Sequence, residues 1–134
     1  MGGAQDRCKD RSVEFDQAII VDHPSSIEMG RSRQPVYDRE FEIRLLYEDP
    51  STGAEHYVAR YPPGLKALPH RHSAAHTIIV LDGQMAVNDT VVGAGAYCHF
   101  PAGEVMFHGP GGNEGCTFII IFHGPFDVEL VAED

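Results

Sequence analysis

Residues 64–83 read GLKALPHRHSAAHTIIVLDG, and the fold is decided in this stretch. Three of the chain's eight histidines fall within it, at His70, His72 and His76. Residues two apart on a strand share a face, about 6.6 Å apart at ~3.3 Å per residue. His70 and His72 can therefore lean together and share one metal ion at ~2.0–2.1 Å, the usual zinc–nitrogen distance. His76 keeps the same parity, and points the same way if the strand is regular through Ser73, Ala74 and Ala75. His108 lies on a later segment, where Phe107 takes the opposite face. An antiparallel barrel can bring that segment beside the first. Three or four neutral nitrogen donors would then face one interior.

The pattern around this stretch is β. Phe41, Ile43 and Leu45 alternate with Glu42, Arg44 and Leu46, a period of two. Residues 49–53, DPSTG, make a turn: proline presets φ and glycine permits a positive one. Residues 56–61 alternate again, with Tyr57, Ala59 and Tyr61 on one side, so the two runs form a hairpin. Further strands are expected at 77–81, 84–87, 96–100, 105–108, 117–122 and 128–131, each closed by turn residues such as Asp82-Gly83. No segment sustains a 3.6-residue apolar period, so helix is minor. Many short strands at this spacing indicate a sandwich or barrel. The polar start, residues 1–35, reads as an N-terminal arm with a short edge strand at 18–21 and a loop at 23–34; residues 36–134 form the barrel.

The histidine pattern resembles the cupin superfamily. The first cupin motif runs G-x5-H-x-H-x3,4-E-x6-G. Here Gly64, His70, His72 and Gly83 fit it, with His76 at the place of the acidic ligand. The second motif runs G-x5-P-x-G-x2-H-x3-N. Gly95, Pro101 and Gly103 fit it; Met106 stands at the histidine position, and His108 lies two residues on, on the same strand face. The resemblance covers most of residues 36–134 and implies an all-β, single-domain cupin barrel, a double-stranded β-helix of jelly-roll type. Residues 41–70 narrow it to the subgroup holding acetylacetone dioxygenase, 2,4'-dihydroxyacetophenone dioxygenase and the cupin domain of zinc-binding anti-sigma factors.

That resemblance implies a metal-dependent enzyme in which His70, His72 and His108 bind the metal and His76 is a fourth ligand or supports them. The expected chemistry is a non-haem Fe(II) dioxygenase that cleaves a C–C bond of a small diketone or hydroxyketone. Zn, Ni, Mn or Cu are the other candidate ions, and nitrogen donors suit Zn, Ni and Cu as well as Fe. Arg60 and Tyr61 are candidates for handling substrate; Tyr57, Phe100, Met106 and Phe118 are candidate pocket walls. Two alternatives stand beside this: a zinc-binding sensor or ligand-binding module without catalysis, and a metal-assisted isomerase or lyase.

Composition narrows the partners. The chain has 134 residues, one domain's worth, with 43% hydrophobic and 22% charged residues. Ten Lys and Arg against twenty Asp and Glu give a net charge of −10. Such a field repels nucleic acid and anionic lipid, so neither is an expected partner. No apolar run approaches the ~20 residues of a membrane span, and the first residues lack the apolar core of a secretory signal. Three cysteines without CxxC spacing fit a reducing cytoplasm and no disulfide framework. No G-x-S-x-G elbow, HExxH helix or phosphate-cradling Gly-Lys-Ser/Thr sequence is present. Residues 118–122 are apolar on both faces, which suggests a homodimer, as is usual for related cupins; an N-terminal strand of the same chain is the other candidate cover.

Overall fold

The structure is a computed structural model, and it describes His23 and residues 28–131. Among those residues there are ten strands and no α-helix. The edge strand expected at residues 18–21 lies outside the described residues, as do residues 132–134.

The strands are β1 (Gly30–Ser32), β2 (Phe41–Glu48), β3 (Glu55–Tyr61), β4 (His70–Arg71), β5 (His76–Val87), β6 (Thr90–Gly93), β7 (Tyr97–Phe100), β8 (His108–Pro110), β9 (Cys116–Phe122) and β10 (Glu129–Leu130). The larger sheet runs β1-β2-β3-β9-β5-β6, with β7 and β8 also paired to β5. The smaller sheet pairs β4 with β10. All these pairings are antiparallel. This is the all-β barrel that the cupin resemblance implies.

The hairpin of β2 and β3 forms around residues 49–53 as expected. Alternation then sets the inside of the barrel. Ala59 and Tyr61 of β3, Ile78 and Val80 of β5, and Phe118, Ile120 and Phe122 of β9 are all buried in one core. Burying each large apolar side chain is worth roughly 1.5–3 kcal/mol.

Four local expectations are corrected. Residues 30–32, read as loop, pair with β2 as the edge strand β1. Asp82-Gly83 is not a turn: β5 runs straight through it with a bulge between Val80 and Asp82. Gly83 takes φ +79°, and a Cβ there would sit 2.2 Å from the Gly115 carbonyl oxygen. Its glycine serves a close approach of two strands. The strand expected at 105–108 begins only at His108. Residues 73–75 are not a regular strand; the chain bends there, and His76 opens the next strand.

Candidate metal centre

His70 is held at both ends of its peptide unit. Its N–H donates to the Met106 carbonyl and its carbonyl accepts from the Met106 N–H, each at 2.9 Å. The Gly103 N–H bonds the His72 carbonyl at 2.8 Å. The turn after β7 therefore clamps the segment carrying His70 and His72. His76 starts the long wall strand β5, and His108 starts β8, which pairs with the far end of β5.

These elements place the four histidines in a closed ring. Ring centres lie 5.0 Å apart for His70 and His72, 4.8 Å for His72 and His76, 5.6 Å for His76 and His108, and 5.8 Å for His108 and His70. All four are buried, none more than 6% exposed. His76 comes inward because the bend at 73–75 redirects the chain, not because a strand continues through it.

Two hydrogen bonds fix tautomers. His70 Nδ1 lies 2.8 Å from the Leu68 carbonyl oxygen, and His72 Nδ1 bonds the Asp127 carbonyl. A carbonyl only accepts, so each Nδ1 carries the proton and each Nε2 keeps a free lone pair. His108 Nδ1 lies 2.8 Å from the Tyr61 hydroxyl, which in turn bonds the Tyr37 hydroxyl. His108 Nε2 and both nitrogens of His76 are buried without any hydrogen-bond partner. Buried polar atoms are nearly always satisfied, so these orphans mark a missing partner.

A metal ion fits that donor set. Imidazoles sharing one ion at ~2.0–2.1 Å have ring centres roughly 4.5–5.3 Å apart, close to the spacing here. Among the described residues, no three His, Cys, Asp or Glu side chains already converge on a common ion position. The two spacings to His108, 5.6 and 5.8 Å, lie beyond that range. Neutral nitrogen donors without a carboxylate suit Fe, Ni, Cu or Zn rather than Mg or Ca.

Burial keeps these imidazoles neutral. Desolvation is the main cause for each; neighbouring rings add repulsion at His76, His108 and His70, while Asp127 partly offsets the shift at His72. His76 is pushed down to about 3, His108 lies well below the usual imidazole value, and His70 and His72 are lowered. Metal ligation needs the same neutral form.

The cluster faces a cavity of about 170 Å³. His70, His72 and His108 line it with Tyr57, Tyr61, Phe118, Ile120, Phe122 and Phe126; among the described residues no Arg or Lys does. His76 lies behind, stacked on Phe100 at 4.5 Å and 8°. Phe100 and Met106, candidate walls, are core residues outside the cavity lining.

Arg60 is not brought to the cluster. Tyr57, Ala59 and Tyr61 take the inner face of β3, so alternation sends Arg60 outward. It pairs with Glu42 at 2.7 Å, donates to Thr117 Oγ1 at 3.3 Å, and borders a separate outer depression. Tyr61 is brought in, but its hydroxyl meets His108 and Tyr37. Burial holds that phenol protonated, its pKa far above the ordinary value. His23, His56 and His123 stay outside the ring; His123 Nε2 lies 2.8 Å from Thr77 Oγ1. Sequence reading missed Tyr37, Asp127 and Phe126. Tyr37 reaches Tyr61 from 24 residues away, and Asp127 acts through its carbonyl, which no side-chain pattern reports.

An all-β barrel with an inward histidine cluster on β4, β5 and β8 is a cupin. The chain belongs to the ChrR cupin-like domain family, whose model matches residues 31–127. No curated protein matches it. Solved structures show the same fold. A cupin-like protein of Thermotoga maritima is 19% identical, covering 81% of this chain and 89% of its own, with a TM-score of 0.69. The polyketide cyclase RemF of Streptomyces resistomycificus is 23% identical over 87% of both chains, with a TM-score of 0.68. An acetylacetone dioxygenase of Acinetobacter johnsonii is 18% identical over 78% and 76%, with a TM-score of 0.63.

Proposed function

We propose that this cupin is a non-haem Fe(II) dioxygenase that cleaves a C–C bond of a small diketone or hydroxyketone, both atoms of O₂ entering the fragments. One observation carries the reading: orphaned nitrogens of His76 and His108 are buried beside a small cavity on which, among the described residues, no side-chain cation stands. His70, His72 and His108 would hold the ion from the cavity side, and His76 from behind. Bound there, Fe(II) would supply Lewis acidity toward a substrate oxygen and the redox chemistry that O₂ requires.

The chain's own groups do the rest. Leu68 and Asp127 carbonyls hold two imidazoles with Nε2 forward. Tyr61 holds the third and acts as a positioning residue. Tyr57, Phe118, Phe122 and Phe126 make the walls beside them largely aromatic. Among the described residues no Arg or Lys stands on those walls to pair with a carboxylate, so an uncharged diketone or hydroxyketone fits better.

A second reading has its own support. Four histidines also complete a tetrahedral zinc site with no open position, and such a domain would bind zinc or a ligand without catalysis. Elemental analysis of chelator-free protein, followed by oxygen uptake with acetylacetone, separates the two. About one iron per chain and substrate-dependent uptake are expected. Stoichiometric zinc with no uptake after iron reconstitution would overturn the dioxygenase reading. His70→Ala and His72→Ala should each lose the metal, while His123→Ala keeps it; equal metal content in all three would remove the site assignment.

The homodimer is also proposed. Ile79 and Tyr97 pair across β5 and β7 on the outer face and are 36% and 68% exposed. Sedimentation velocity should show a dimer, and Tyr97→Glu should shift it to monomer. A monomeric parent protein at micromolar concentration would reject it.

A further inference from the structure

The segment after β9 does more than close the barrel. Phe126 and Val128 line the cavity. Phe126 packs on Phe122 and His72 at 4.9 and 5.6 Å, yet is 38% exposed, so it stands at the opening. Between them, Asp127 uses every acceptor it has on the histidine segment. Its carbonyl takes the His72 Nδ1 proton. Its Oδ1 accepts from the Ser73 N–H at 2.8 Å and its Oδ2 from the Ser73 hydroxyl at 2.6 Å. Glu129 and Leu130, which form β10, pair with Arg71 and His70.

We propose that Asp127 is a positioning residue of a clasp, residues 126–130, which fixes the His72 imidazole and ties the cavity's mouth wall, Phe126, to it. The main-chain bond alone sets the ring's tautomer. The two carboxylate bonds fix where that carbonyl stands, so the side chain acts on the imidazole through its own backbone. Coupling of this kind runs both ways. An ion on His72 Nε2 strengthens the Nδ1–H donor and steadies residues 124–128; a firmly held clasp in turn raises affinity for the ion. A ligand pressing on Phe126 would be felt at His72. The inference rests on the metal reading above.

The test reads metal affinity, not turnover. Co(II) or Zn(II) is titrated into chelator-stripped protein against a chromophoric competitor, for wild type, Asp127→Ala and Asp127→Asn. Removing such an outer support typically costs at least tenfold in metal affinity, so Asp127→Ala should bind about tenfold more weakly. Asp127→Asn keeps an oxygen for the Ser73 N–H and should recover most of that loss. Metal should also slow amide hydrogen exchange over residues 124–128 in wild type and much less in Asp127→Ala. Wild-type affinity in Asp127→Ala overturns the clasp while leaving the metal site standing. A wild-type protein that binds neither metal overturns both. Should Asp127→Ala fail to fold, Ser73→Ala, which loses one hydrogen bond, is expected to weaken binding about threefold; unchanged affinity there, with unchanged exchange, also rejects the clasp.

Discussion

At the scale of single residues, the imidazoles are the unusual feature. Four histidines packed within 6 Å of their neighbours would repel one another if charged. Burial and that repulsion together keep them neutral, with His76 pushed down to about 3. The consequence for the metal-free protein has a definite sign. In the unfolded chain these rings take up protons near pH 6.5, while in the folded chain all four do so at lower pH, His76 and His108 far lower. Between those values the unfolded state binds more protons, so stability falls as pH falls. At pH 5.5 each imidazole kept neutral costs about 1.4 kcal/mol relative to neutral pH. Urea unfolding of chelator-treated protein should therefore lose about 3 kcal/mol between pH 7.5 and 5.5, from His76 and His108. Equal stability at the two values would mean that the cluster opens to solvent.

Elements show a different kind of constraint, where one strand bulges to let another pass. At Gly83 in β5 a Cβ would meet the Gly115 carbonyl oxygen at 2.2 Å, on a backbone with φ +79°. Gly95, before β7, has φ +89° but nothing within 4 Å of a built Cβ. The pair separates strain from collision. Gly95→Ala should cost about 1–2 kcal/mol, the left-handed penalty alone. Gly83→Ala adds a clash with backbone and should cost about 3 kcal/mol or more. Denaturant midpoints of the two variants check this, and equal losses would show that the bulge relaxes freely. The same site explains what the sequence hid. Alternation revealed the hairpin of β2 and β3, and which β3 side chains face inward, because period two is local. Asp82-Gly83 has the composition of a turn, and only pairing with the neighbouring strand β9 keeps it within a bulged β5. Spacing also marked His70, His72, His76 and His108, since chelation needs neighbours in sequence or matched strand faces. Arg60 was misplaced as a candidate although its alternation with Tyr61 already sent it outward. Tyr37 and Asp127 were illegible because each enters from a loop, 24 and 55 residues from its partner.

For the whole molecule, charge and chemistry make separate claims on a cation. A net charge of −10 draws any divalent ion toward the surface. That attraction is screened within about 8 Å at physiological salt and does not discriminate between ions. The buried ring of imidazoles does discriminate, because hard ions such as Mg²⁺ and Ca²⁺ prefer oxygen. Thermal unfolding can tell the two effects apart. An ion that binds only the folded chain adds about 2.7 kcal/mol at one hundred times its Kd. For a domain of this size that is a rise in Tm of roughly 10 °C. Zn(II) or Co(II) added to chelator-stripped protein should produce that rise, and Mg²⁺ at the same concentration should not. His72→Ala should melt at one temperature with or without Zn(II). A rise that is equal for Mg²⁺ and Zn(II), and that persists in His72→Ala, would assign the binding to the acidic surface and take the metal away from the histidines.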